Sequence, residues 1–389
     1  MDPLTPEVRY RGYFRLLRGL VDGRARDVIS APGGDVVLVA GVTRTPDGVR
    51  FLVKTGDTRP ARTLRHRPYV RFGLIGGRLD HPGRSAEDTA AAEAREEVGG
   101  EVFGAPEPLF TRPVPTMPVA STEADRLFLA SLRVRAAPTG DGGGMELPHL
   151  LGHRWASAAE LLELVRRGAL GETCRARVLY GRALEALGLA PSFGEGARVW
   201  PEELFARLGL ERAGPSRDGS GAAPEPGLGG DGPAIDGAKL ELDRVIPLTR
   251  PPGRLLVGRG WHRAGERPVG EPFPLELLDL DHDQAEVLPY ALDGGGLRVW
   301  LDRAIAPGPS LGVAAPGPGE RAPAPIHLWQ GRVLDVSRDP WTDPAAAVRA
   351  LARAQGLGPP SLLLEGEASP GQSTLLEGVW AAAAPAGQI

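Results

Sequence analysis

Cysteine is almost missing from this chain. Cys174 is the only one in 389 residues, which excludes a disulfide framework and a thiolate-held metal cluster and makes a cytosolic location the default. Long apolar runs are missing too: no stretch approaches the roughly 20 residues of a membrane span. The opening Met1-Asp2-Pro3-Leu4 does not read as a secretory leader. No excess of positive charge exists to favour nucleic acid or another polyanion, since the formal net charge is −4. Lysine is nearly absent as well. Lys54 and Lys239 are the only two, and arginine carries the rest of the positive charge. With abundant Ala, Gly and Pro, that bias is the mark of a GC-rich bacterial genome. What is present is a hydrophobic content of 42%, ordinary for a globular core, in a chain with room for two or three domains.

Apolar runs and turn residues set out the first part of the chain. Residues 35–42 (DVVLVAGV) read as a buried strand. Thr45-Pro46-Asp47-Gly48 reads as a turn, and Val49–Lys54 alternates as the returning strand of a hairpin. Asp125–Val134 is a later strand. Ser157-Ala158-Ala159-Glu160 is a capping box opening a helix over Leu161–Arg167, with Gly168 as its stop, and a second helix follows over about Cys174–Leu187. Strands with helices on each side imply an α/β/α sandwich. From Ala213 to Gly237 the composition turns to Gly, Pro, Ser and Ala with scattered acids, which reads as a flexible linker.

Beyond the linker the pattern returns. Glu286–Leu292, a turn at Asp293–Gly296 and Leu297–Leu301 mirror the first hairpin. Gln330-Gly331-Arg332-Val333-Leu334-Asp335 is close to Gly76-Gly77-Arg78-Leu79-Asp80, and an Ala-rich helix ends at Gly356 as an earlier one ends at Gly99. That earlier helix carries Glu93, Glu96 and Glu97. Positions i, i+3 and i+4 share one helical face, so three carboxylates repel one another unless a cation sits over them. A hard divalent ion is the usual answer, and a solvated helix face is the plain alternative. In the second copy the equivalent positions are Ala350, Arg353 and Ala354.

The succession of glycine turn, glutamate helix and stopping glycine resembles the Nudix box of the Nudix hydrolases. All three metal-binding glutamates match. Arg84 stands where the first box Glu belongs, Ala92 replaces the box Arg, Ala94 a larger aliphatic and Gly100 the closing aliphatic, and the turn Gly76–Gly83 carries one extra residue. Three further stretches are similar to the ADP-ribose and nucleoside-diphosphate-sugar pyrophosphatases: Gly76–Asp80, the amino-terminal segment Arg11–Gly19, and Pro118-Val119-Ala120-Ser121-Thr122-Glu123. Ser369–Thr374 matches that last motif in the second copy.

The resemblance implies a Nudix α/β/α sandwich with a mixed sheet, present twice: residues 1–192, a linker over 193–240 that is flexible mainly at 213–237, and a reduced, degenerate copy over 241–389. It implies Mg²⁺ or Mn²⁺ held by Glu93, Glu96 and Glu97 with the carbonyl of Gly77, and Glu93 counts among the catalytic groups. Glu146, in a Gly-rich loop, is the catalytic base or an ordinary surface acid. Glu123 touches a ribose or caps a turn, and Arg59, with Arg62 and Arg65, reaches a diphosphate or solvates a loop. Arg84 either replaces the lost box Arg in space or occupies the metal site. His81 and His153 read as structural or exposed, and Cys174 as a buried small residue. The implied activity is metal-assisted hydrolysis of ADP-ribose or a nucleotide sugar. The alternative is a weak or inactive module that binds a nucleotide or a protein partner. Neither nucleic acid nor membrane is expected as a partner. The two copies are expected to form a pseudo-dimer within one chain, or the chain a homodimer.

Overall fold

The computed structural model describes residues 6–21, 23–31, 35–55, 64, 72–79, 81, 83–115, 117, 120–134, 152–166, 170–189, 237–293, 296–307, 310, 327–338, 343–367 and 376–385. These form a mixed α/β protein with several sheets. The first sheet is an antiparallel meander of β1 (Glu7–Arg11), β2 (Arg15–Val21) and β3 (Arg24–Ser30).

The second sheet contains β4 (Val36–Thr45), β5 (Gly48–Thr55), β6 (Phe72–Gly73), β7 (Ile75–Arg78), β8 (Gly100–Pro108), β9 (Val114–Pro115), β10 (Ala124–Val134) and β11 (Gly152–Ser157). Its main path runs β11-β5-β4-β10-β8, with β4 and β10 parallel at the centre. The expected hairpin forms: Thr45 pairs with Gly48, which takes the positive φ (119°) that glycine tolerates. β4 outruns that hairpin, and its first half, Val36–Val39, pairs instead with β7.

Seven successive buried residues in β4 fit a strand covered on both faces. Alternation divides them. Val37, Val39 and Leu52 pack with Ala90, Ala94 and Val98 of helix α1 (Ala86–Val98). Leu38, Val42, Phe51 and Val53 pack with α2 (Ala158–Arg166) and α3 (Thr173–Ala186) on the other side. The capping box closes as read from sequence: Ser157 N–H donates to Glu160 at 2.7 Å and Glu160 N–H donates to Ser157 Oγ at 3.2 Å.

Three strands before the second hairpin had no counterpart in the sequence reading. β12 (Gly237–Pro247), β13 (Gly253–Ala264) and β14 (Arg267–Leu280) form another antiparallel meander, and β12 takes in residues 237–240, which composition had placed in the linker. Exposed, charged β12 and the prolines of β14 hide the strand pattern. A five-stranded sheet follows from β15 (His282–Asp293), β16 (Gly296–Val299), β19 (Arg332–Ser337), β20 (Ser361–Glu367) and β21 (Leu376–Ala383). A separate two-stranded sheet joins β17 (Asp302–Ile305) and β18 (His327–Gln330). Helix α4 (Pro344–Ala354) follows β19 and buries Val348 and Ala352 on the sheet. β15 pairs antiparallel with β16 and β19 and parallel with β21, as β4 pairs with β5, β7 and β10. Residues 190–236 and Ser369–Thr374 lie outside the described residues.

The two meanders pack together. Phe14, Leu16, Ile29 and Met117 share a core with Ile246, Leu255, Leu278 and Leu280. Polar contacts fix the register of that core. Glu276 on β14 accepts from the backbone N–H of Tyr13 (2.8 Å) and Phe14 (2.6 Å) and from the Tyr10 hydroxyl (3.0 Å). Burial, and then Glu276, push the Tyr10 hydroxyl up to about 12. Asp27, fully buried on β3, takes two bonds from Arg18 and one from the N–H of Thr249. Burial alone would raise its pKa, but Arg18 and that N–H outweigh burial and hold it below the usual carboxylate range.

A carboxyl with a depressed folded pKa contributes stability above its unfolded value, about pH 4, and loses it as pH falls further. Asp27→Asn should therefore cost about 2 kcal/mol or more at pH 7. In thermal melts from pH 7 to 3, the gap between variant and parent should narrow below about pH 4.

Candidate functional site

Helix α1 is set by its ends. Ser85 accepts from the N–H of Asp88, and Gly99, in the left-handed region (φ 64°), turns its N–H back onto the carbonyls of Ala94 and Arg95. The helix then lies against β7, and residues four apart, Glu93 and Glu97, reach Gly76 and Gly77 together; these glycines, read from sequence as a turn, are strand residues paired with Leu38 and Val37 of β4. Glu97 accepts the N–H of Gly76 with Oε2 at 2.8 Å. The carboxylate of Glu93 rests against Gly77, where any Cβ would collide with it. Glu96 and Arg95 are exposed.

Lys54 was not singled out by the sequence reading. It projects from β5 on the face of Leu52, under α1, and its ammonium meets Glu97 Oε1 at 2.6 Å, with 1% of the lysine and 13% of the glutamate side chain exposed. Ala92 is buried, and the positive charge beside Glu97 comes from the neighbouring strand β5. A signal was available: Lys54 is one of two lysines and directly follows the apolar run Phe51-Leu52-Val53. Arg84 is half-buried just ahead of the cap, with its backbone N–H on the carbonyl of His81.

One residue further along β7, Arg78 turns to a second group. It meets Glu123 at 2.7 Å and lies over the rings of Tyr13 (5.3 Å) and Phe14 (5.8 Å). Glu123 is itself buried and also bonded to Arg175 of α3. Arg175 further meets Asp125 at 3.0 Å and Glu172 at 3.3 Å. Burial alone would lower the Arg175 pKa; Asp125, Glu172 and Glu123 outweigh it and raise it. Glu172 adopts φ 57°, costly for a residue with a Cβ, and its carboxylate reaches Arg175 one turn on.

So three successive residues address three carboxylates: Gly76 holds Glu97, Gly77 seats Glu93 and Arg78 pairs with Glu123. Among the described residues no group of three or more His, Cys, Asp or Glu side chains is gathered into a metal cage. Glu93 and Glu97 beside glycine backbone are nevertheless a hard-oxygen donor set of the size Mg²⁺ uses, one or two carboxylates with the rest from water and phosphate. Burial lowers the pKa of His153, His81 is exposed, and Cys174 is partly rather than fully buried. Arg59, Arg62, Arg65 and Glu146 lie outside the described residues. Among those that are described, no helix is long and apolar enough to cross a membrane.

No protein-family model matches the chain, and no curated protein matches it. Among solved structures, a crystal structure of an ADP compounds hydrolase matches with a TM-score of 0.35 and 18% identity, over 49% of this chain and 100% of its own. At that distance the likeness assigns neither activity nor residue roles.

The buried network makes a sharp stability prediction. Arg175→Met would leave Glu123, Asp125 and Glu172 facing one another without their shared cation, and should cost about 3–5 kcal/mol in urea unfolding.

Proposed function

We propose that the first unit is a Nudix-type hydrolase that cleaves the diphosphate of ADP-ribose or a nucleotide sugar. The observation that carries this reading is the Glu93–Glu97 pair seated on Gly76 and Gly77 of β7. Water attack on a diphosphate is opposed by the anionic oxygens around phosphorus, and Mg²⁺ or Mn²⁺, when bound, neutralises that charge and lowers the pKa of a coordinated water. Glu93, Glu97 and the carbonyl of Gly77 are the groups we assign to hold it, with Glu96 at the solvent side. Glu93 is fixed by its contact with Gly77, and Glu97 by Gly76. Arg78, Glu123 and Arg175 hold β7, β10 and α3 in register beneath the site. Proton removal from the attacking water is assigned to Glu146.

We further propose that residues 237–389 form a second unit of the same fold, separated from the first by a linker and without metal chemistry. It is supported by the matching pairings around β4 and β15, each preceded by a three-stranded meander. Its helix α4 carries Ala350, Arg353 and Ala354 where α1 carries Glu93, Glu96 and Glu97. The apolar contacts between the meanders support the reading of an intramolecular pseudo-dimer, with β12–β14 in the place of a homodimer's partner.

A second reading is favoured by one observation. Lys54 already neutralises Glu97, which suits a module that binds a nucleotide without cleaving it.

Purified protein with ADP-ribose or nucleotide sugars and Mg²⁺ or Mn²⁺ should release AMP or the nucleoside monophosphate. Glu93→Gln and Glu97→Gln should each slow release by about 100-fold, the equivalent of roughly 3 kcal/mol of lost charge stabilisation. Gly77→Ala should do the same with little loss of stability, because the displaced group is the end of a flexible side chain. No turnover in parent and variants alike, together with tight calorimetric binding of a nucleotide, would establish the second reading instead.

A further inference from the structure

We infer that Lys54 is a built-in counter-cation that competes with a divalent metal for Glu97, so that metal binding requires the Lys54–Glu97 pair to open. The inference deepens the hydrolase reading above and rests on it. Glu97 is held on both oxygens, Oε1 by the Lys54 ammonium at 2.6 Å and Oε2 by the Gly76 N–H at 2.8 Å. A metal held by Glu93 and Glu97 would need an oxygen of Glu97, and its positive charge would face an ammonium only 1% exposed. Two cations so close, with little water between them, repel strongly.

The chemistry of the side chain supports a replaceable cation. This chain uses arginine almost everywhere, yet lysine stands here. A guanidinium would grip both carboxylate oxygens at once and compete with the Gly76 N–H for Oε2. An ammonium is compact, takes one oxygen and sits on a flexible stem that can withdraw. The strand partners of Lys54 add no second cation. Gly73 pairs with it on one side and His153 on the other, and burial holds the His153 imidazole below its ordinary pKa, so it is neutral at pH 7. Lys54 is therefore the cation placed to compete for Oε1 of Glu97.

Calorimetry and Mn²⁺ electron paramagnetic resonance on the full chain, without nucleotide, test this directly. Lys54→Met should bind Mn²⁺ on the order of 100-fold more tightly than the parent, and Mn²⁺ should raise its melting temperature more. Lys54→Arg, which keeps the charge, should bind Mn²⁺ no better than the parent. If the Met variant does not fold, Lys54→Gln supplies the same uncharged test with a hydrogen-bonding amide. Equal Mn²⁺ affinity in the parent and the uncharged variant would overturn the inference while leaving the hydrolase reading intact. Binding in neither would overturn both.

Discussion

An ammonium ion taken almost entirely out of water is stable only where a carboxylate meets it, and the first unit is arranged around that requirement. Lys54 comes from β5, Glu97 from α1, and the Gly76 N–H that holds the second oxygen from β7. A single carboxylate therefore ties two strands and a helix together. If any one of the three shifted, a charge or an N–H would be left buried without its partner. The apolar contacts of α1 with Val37, Val39 and Leu52 bring the helix to the sheet, but they are non-directional. The ion pair determines where along the sheet it stops.

A second set of charges extends the constraint. Arg78 follows the two glycines of β7 and reaches Glu123, and Glu123 leads to Arg175 and α3. On its other side Arg78 lies over Tyr13 and Phe14, whose backbone N–H groups are held by Glu276 of the second meander. A continuous path of named contacts thus joins the residues beside Glu93 and Glu97 to the carboxy-terminal half.

The sequence made some of this legible and hid the rest for physical reasons. Local chemistry was readable. The Pro-Asp-Gly turn, the Ser157–Glu160 capping box and the Gly99 stop all act within a few residues, and each stands where the pattern places it. The glutamates were visible as a group, but their inequality was not: Glu93 and Glu97 meet the glycines of β7 while Glu96 is exposed, a difference set by that strand rather than by the helix. Lys54 acts across 43 residues of chain, so no local motif names it. The β12–β14 meander was missed because its strands are exposed, charged or interrupted by proline, and alternation is a signal only where one face is buried.

The packing of β1–β3 on β12–β14 joins surfaces written by different stretches of one gene. In a symmetric assembly of identical subunits every substitution appears on both sides of the axis, so neither side can change alone. Here each side mutates by itself, and tethering keeps the two together at any dilution. The helices on the two sides differ in the same way: α1 carries Glu93 and Glu97, and α4 is built of Pro, Ala, Val, Leu and Arg with no carboxylate.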